Sequence, residues 1–431
     1  MIDMKLIREN PDLVKKNIKK KFQNEKIVLV DKLKELDVKW RKLKYKEDGL
    51  RSERNKISED INKAKKSKDE KKAKELIKKA KDIPGKIEKI GVDKKKMENE
   101  IMKLQIDIPN IMSKNVPLGK SDKENVVEKI IGKSVKINFP VKSHVEVMEN
   151  LGMADFNSSA RVSGKGFYYL ENDLALLNVA LINFARDIMV SKGFMYIETP
   201  YLLREEVIDN VTDLHDKADM IYLVEDKPKM ALIGTSEHSL IGRYAGQEIN
   251  EKNLPIKQTS YSMCFRKEIG SHGIDEKGLF RTHQFNKIEM IIICKPDVSE
   301  SEKFYKEMKD ITVEIFKKLG IPVRVLKICS GDLGSLKYEQ VDVEAYSPRR
   351  KDYFEVGSCS NLTGSQARKL NIFTRIKGQR TTPYTLNNTA IATSRALVAI
   401  IENNQQKDGS VKIPKVLWPY MNGKKKIEVK K

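Results

Sequence analysis

The segment Cys264–Met290, CFRKEIGSHGIDEKGLFRTHQFNKIEM, decides how the larger part of this 431-residue chain is read. It carries Arg266 and Glu268 into a glycine-rich loop and returns through Arg281, Phe285 and Glu289. The pattern is strand, loop, strand. Alternation every second residue pairs Arg266 with Glu268 on one strand and sets Arg281, Phe285 and Glu289 at one parity on the other. Five side chains are therefore expected on one face. A guanidinium fork matches phosphate oxygens, an aromatic ring offers a base a stacking surface, and a carboxylate there can take an ammonium or a metal. A lone Arg-x-Glu would be a surface ion pair, but the full run is poorly explained that way.

Outward from this hairpin lie further short β-rich runs, MIYLV (220–224), MALIG (230–234), IEMIIIC (288–294) and RVLKI (324–328), with loops of very different length between them. That irregularity predicts an antiparallel sheet with flanking helices, an α+β architecture, and argues against a βαβ repeat. A helix is predicted over about 173–191, with Leu174, Leu177, Leu181, Phe184 and Ile188 on one face, leading into GFMYIETPYLL. No GxxxxGK[ST] occurs, nor GxGxxG after a strand, so a phosphate site must be built from side chains. Candidates are Glu355 and Ser358 in YFEVGSCSNLTGSQARK, and Asn387, Thr389 and Arg395 in TLNNTAIATSRALVAIIENNQ. An arginine opening an otherwise apolar helix needs an anionic or aromatic partner. In GTSEHSL, Thr235 and Glu237 flank Ser236. Taken alone that element reads as a helix N-cap with a first-turn acid.

The first quarter is different. Apolar residues step by four and three through Leu29, Leu33, Leu36, Trp40, Leu43, Leu50, Ile57, Ile61 and Ala64, with gaps at Glu47 and Arg54. After the polar interval Lys65–Lys72 the stepping resumes at Ala73 and runs to Ile108, with Lys94 in the seam. This predicts two long antiparallel helices, each roughly 54 Å long, projecting as a lever. Facing Ala64 with Ala73 places Glu47 and Lys94 in adjacent layers, where a pair would fix the register. Pro84 and Gly85 predict a kink in the second helix. Pro109 ends it, and the loop-like stretch that follows sets a domain boundary near residue 112.

The chain carries a formal net charge of +22, and its first 110 residues hold 34 Lys and Arg against 21 Asp and Glu, a surplus of 13. Taken alone the hairpin reads as a dimerisation coiled coil with a solvated lysine face. The lysine surplus turns it towards phosphate, and nucleic acid is the natural partner. Cys264, Cys294, Cys329 and Cys359 lack CxxC spacing and read as core residues. Apolar runs such as Met290–Cys294 are too short to span a bilayer, so a soluble intracellular protein is expected.

Together these residues resemble the class II aminoacyl-tRNA synthetases, whose three motifs correspond to GFMYIETP, to FRKE with the loop and RTHQFNKIE, and to NNTAIATSR. The whole chain, from MIDMKLIRENPDLV through IPNIMSKNVPLGK to WPYMNGK, is similar to the seryl-tRNA synthetases. The resemblance implies a tRNA-binding helical arm over 1–112 and a catalytic domain over 113–431, with a six-stranded antiparallel sheet and a homodimer held partly through the first motif. It implies a cytoplasmic enzyme that activates L-serine with ATP and charges tRNA(Ser), with tRNA(Sec) as a second candidate. Arg266, Arg281 and Arg395 would be catalytic. ATP would meet Arg266, Lys267, Glu268, Arg281, Phe285, Glu355, Val356, Gly357, Ser358 and Arg395, with Mg2+ at Glu355 and Ser358. L-serine would meet Thr235, Ser236, Glu237, Arg266, Glu289, Asn387 and Thr389. No zinc is expected, since His144, His215, His238, His272 and His283 show no ligand spacing with the cysteines. The competing readings are an amino-acid-activating relative with a non-tRNA acceptor and a non-catalytic nucleic-acid-binding paralogue.

Overall fold

The computed structural model describes residues 1–134, 137–212, 214–268 and 278–429, apart from the side chains of 214–216. The chain forms two compact units, Met1–Pro109 and Asn110–Lys431.

In the first unit, α1 (Met4–Glu9) and α2 (Pro11–Lys20) precede the long α3 (Ile27–Lys66). The chain turns at Ser67–Asp69, where Asp69 caps α4 (Glu70–Ala80) by accepting from the Lys72 N–H at 3.0 Å. The expected kink is a break: α4 ends at Ala80 and α5 (Ile83–Asp107) begins afresh, with Pro84 in its first turn. Proline there sacrifices no helical hydrogen bond, because the first-turn N–H groups have no intrahelical partner. The heptad seam is observed, and Lys94 Nζ meets Glu47 Oε2 at 2.5 Å, as the register demands. Arg51 holds the other Glu47 oxygen at 2.6 Å. Near the base, Arg8 grips the buried Asp37 through Nε and Nη2 at 2.9 and 2.6 Å, clipping α1 onto α3.

In the second unit the sheet comprises β1 (Val126–Ile131), β2 (Met195–Tyr196), β3 (Ile256–Phe265), β4 (Gln284–Cys294), β5 (Val323–Lys327), β6 (Glu339–Ser347), β7 (Asp352–Thr363) and β8 (Tyr384–Ala392). Their order is β1-β5-β6-β7-β8-β4-β3-β2, antiparallel throughout except where β2 runs parallel to β3. Eight strands stand where the resemblance implied six, because β1 and β2 extend the two edges. Around the sheet stand α6 (His144–Leu151), α7 (Asn172–Ser191), α8 (Ser236–Gly242), α9 (Val298–Lys318) and α10 (Thr393–Asn404).

Strand β4 shows how the layers are made. Ile288, Met290 and Ile292 enter the main core with the buried faces of α7, α9 and α10. Ile291 and Ile293 join a second apolar cluster with Leu240 and Ile241 of α8. By length and composition alone α7 could cross a membrane, a property that its interrupted apolar runs conceal. Its Leu174, Leu177, Leu181, Phe184 and Ile188 are buried in the core instead. Two of the sheet's bulges bear on the cavities: β7 gains a residue at Val356 opposite β6, and β8 gains one at Ala390 opposite β4.

Candidate active site

The face of β4 opposite the helical core carries Phe285, Lys287 and Glu289 at successive alternate positions. Arg266 and Glu268 lie just past β3, with Glu268 at φ +49°, and Arg281 lies before β4. The convergence read from the sequence is real, but strand alternation accounts for only part of it. Between the two strands, residues 269–277 lie outside the described residues, and with them His272.

Two adjoining cavities open on this face. One is lined by Arg266, Glu268, Phe280, Arg281, Phe285, Glu355 and Arg395. The other is lined by Thr235, Glu237, Glu289, Asp342, Ser358, Asn387 and Thr389. Arg266, Lys287, Glu355 and Thr389 belong to both. Arg266 is aimed by the carbonyl of Gly234, which accepts from its Nε at 3.2 Å, and its guanidinium stands 5.4 Å from the Phe285 ring. Arg395 has both kinds of partner that the sequence required. Its Nη1 meets Glu355 Oε2 at 3.0 Å, and its guanidinium lies 5.3 Å from the Phe280 ring.

Glu355 and Ser358 are three residues apart and would point to opposite faces of a regular strand. The bulge at Val356 restores them to one face. Ser358 Oγ accepts from Gln340 Nε2 at 2.9 Å, and the same amide donates to Asp342 at 2.8 Å. Burial, and then the charge of Glu355, push the Asp342 carboxyl up to about 7. The cleft opposes charge on Glu355 too, but Arg395 holds it below the usual carboxylate range.

In the second cavity Thr235 caps α8 as the sequence suggested, accepting from the Glu237 N–H at 3.3 Å. Glu237 Oε1 accepts from Gln366 at 2.7 Å and from Asn387 at 2.8 Å. Burial, and then the charge of Glu289, raise its pKa. Glu289 Oε2 meets Lys287 Nζ at 2.6 Å and accepts from Thr389 Oγ1 at 3.2 Å. His238 stays neutral: burial, followed by the charges of Lys287 and Arg266, lowers its pKa to about 3.

Four residues that the resemblance assigned to ligands do not present side chains to these cavities. Lys267 Nζ turns to the carbonyl of Ala218 at 3.3 Å. Ser236 is fully buried, with its hydroxyl on the carbonyl of Ser260 at 3.4 Å. Val356, the bulge residue, packs into the main core. Gly357 serves packing: a Cβ there would stand 3.1 Å from both Thr312 Cγ2 and the Thr389 carbonyl. Sequence reasoning missed Lys287, Asp342, Gln340 and Gln366. Lys287 shares the parity of Phe285 and Glu289, a signal that would have found it.

A largely antiparallel sheet whose adjoining cavities are lined with arginines and carboxylates defines a class II aminoacyl-tRNA synthetase core. Residues 222–404 match the family profile described as the tRNA synthetase class II core domain (G, H, P, S and T), and residues 1–112 that of the seryl-tRNA synthetase N-terminal domain. The serine--tRNA ligase of Methanocella arvoryzae is 43% identical over 427 residues, covering 98% of this chain and 99% of the relative. The crystal structure of seryl-tRNA synthetase from Pyrococcus horikoshii complexed with ATP superposes with a TM-score of 0.90 at 40% identity, covering 100% of both chains. The cytoplasmic serine-tRNA ligase of Naegleria fowleri in complex with AMP gives 0.87 at 32% identity, covering 100% of this chain and 99% of that one. The chain belongs to the seryl-tRNA synthetase family.

Proposed function

We propose that this chain activates L-serine with ATP and transfers it to tRNA(Ser). The observation that carries this reading is the pair of adjoining cavities bridged by Arg266, one rich in arginines and aromatic rings, the other holding two close carboxylates, Glu237 and Glu289. The first cavity takes ATP: Arg281 meets the γ-phosphate, Phe285 and Arg395 enclose the adenine, and Glu268 meets its edge. The second takes serine. Burial, and then the charge of Glu289, raise the cost of ionising Glu237, a situation that a bound ammonium relieves. The donors already committed there, from Thr389, Asn387 and Gln366, suit a small polar amino acid. Alanine is rejected because it leaves buried polar groups unpaired.

The reaction needs no protein nucleophile. The serine carboxylate attacks the α-phosphorus in line, pyrophosphate leaves, and a ribose hydroxyl of tRNA then attacks the seryl-adenylate. Arg266, at the junction, reaches the carboxylate and the α-phosphate together, so the chain contributes positioning and charge stabilisation. The residues present fit Mg2+: Glu355, Asp342 and the Ser358 hydroxyl form a hard oxygen set in one cavity. When bound, the ion would neutralise charge on the phosphates. The proposed division into a tRNA-binding arm over 1–112 and a catalytic domain over 113–431 leaves the basic surplus on the arm. The homodimer is supported by an apolar outer face, with Leu176, Val179 and Val190 of α7 and Met195 of β2 all about half exposed or more. A cytoplasmic setting follows from the substrates.

The test is amino-acid-dependent exchange of labelled pyrophosphate into ATP, run with each of the twenty amino acids. Serine alone should support exchange. Exchange with a different amino acid would overturn the pocket assignment, and none with any would leave a non-catalytic protein.

A further inference from the structure

The chain re-enters the nucleotide cavity through Gly278, Leu279, Phe280 and Arg281. Leu279 is fully buried in the main core, and its N–H donates to Nε2 of His144 at 3.2 Å. A ring nitrogen that accepts carries no proton, so the neutral imidazole holds its hydrogen on Nδ1. That nitrogen faces Glu402 Oε1 across 3.6 Å, close enough for the carboxylate to favour this tautomer. His144 is 1% exposed and Glu402 is 0% exposed. Glu402, near the end of α10, also accepts from Ser347 Oγ and from Arg349 Nε, the latter at 3.1 Å. Burial alone would raise its pKa, but these partners outweigh burial and keep it ionised.

The crossing is tight. Gly278 has φ +105°, and a Cβ there would lie 2.3 Å from His144 Nε2. Immediately beyond, the Phe280 ring is held between the Arg350 guanidinium at 4.3 Å and that of Arg395 at 5.3 Å, with Phe354 edge-on at 5.4 Å. Phe280 and Arg281 both line the cavity. A shift of the Leu279 backbone therefore moves a stacking ring and a cation together.

We infer that His144, whose Nδ1 faces Glu402, is a positioning residue that fixes the return of the chain at Leu279 so that Phe280 and Arg281 face the nucleotide. This rests on the reading of that cavity as the ATP site. His144 lies outside the three sequence motifs and touches neither cavity, so its effect is specific to one substrate through the backbone it holds.

The experiment is serine-dependent pyrophosphate exchange on the full-length protein, with KM measured separately for ATP and serine. His144→Leu keeps the bulk and removes the acceptor, and should raise the KM for ATP roughly tenfold while the KM for serine stays within about twofold. His144→Gln, whose amide oxygen can reach Leu279, should restore the ATP value. If the leucine variant does not fold, His144→Asn, too short to reach, is compared with His144→Gln in the same way. An unchanged KM for ATP with only a lower melting temperature would overturn the inference, as would an equal rise for both substrates. The underlying site reading fails separately: near-normal exchange in Arg266→Ala would remove the ATP assignment whatever His144 does.

Discussion

Asp342 and Glu355 are two carboxylates in one cleft; Arg395 pairs with Glu355, while burial, and then the charge of Glu355, let Asp342 hold its proton up to about pH 7. Its ordinary value is 3.8, so the folded state binds the proton more tightly than the unfolded chain, and ionisation costs stability progressively between those values. Asp342→Asn, which mimics the protonated form, should leave the melting temperature unchanged near pH 4. It should raise it increasingly towards pH 7, with no further gain beyond. Thermal melts across that range check the sign. Arg266→Ala removes a cation aimed at charge that develops during adenylate formation, and its exchange rate should fall by roughly 10²–10³-fold. At this scale the sequence was legible where the residue's chemistry was unusual, as with the three arginines. It was blind where the decisive contact comes from another strand: Gln340 and Asp342 reach Ser358 and Glu355 only because β6 lies beside β7. Ser236 and Lys267 were placed by likeness alone, and their side chains turn elsewhere.

Among elements, the hairpin was the most legible, because a heptad seam is a local, periodic signal and antiparallel pairing follows from one assumed turn. That was enough to bring Glu47 to Lys94 across 47 residues. The break at Lys81–Asp82 was not legible as such, since Pro84 alone does not say whether a helix bends or restarts. Lys94 first, then Arg51, hold Glu47 below the usual carboxylate range, so their contribution is present above pH 4.5 and is lost as pH falls through the lowered value. Lys94→Ala should therefore lower the melting temperature of the protein at pH 7 and have little effect in strong acid. Equal destabilisation at both would mean that the lysine acts through packing of its alkyl stem. The sheet was legible as antiparallel, and GFMYIETPYLL was legible as a turn glycine and a short β-prone run, where edge strand β2 lies, but edge strand β1 was not legible.

For the whole molecule, charge and exposed apolar surface set the terms. A surplus of 13 positive charges in the first 110 residues predicts tRNA binding that weakens steeply with salt, by a slope of roughly −0.7 to −0.9 per phosphate contact neutralised. Replacing Lys65, Lys68, Lys71 and Lys72 with glutamine should raise the KM for tRNA and flatten that slope, with pyrophosphate exchange unaffected. Val179→Glu, on the half-exposed face of α7, should yield a monomer by sedimentation if that face pairs two copies.

The bulges at Val356 and Ala390 act on strands as an inserted base acts on a message. Upstream of each, one phase of the sequence faces the cavity, and downstream the other does. Were Val356 drawn into regular pairing, the strand would keep its composition and its neighbours, yet Ser358, Ser360 and Leu362 would all be transposed into the helical layer, and Cys359 would be turned to the cavity. One bulge, at an apolar residue that lines neither cavity, thus maintains the reading frame of half the site.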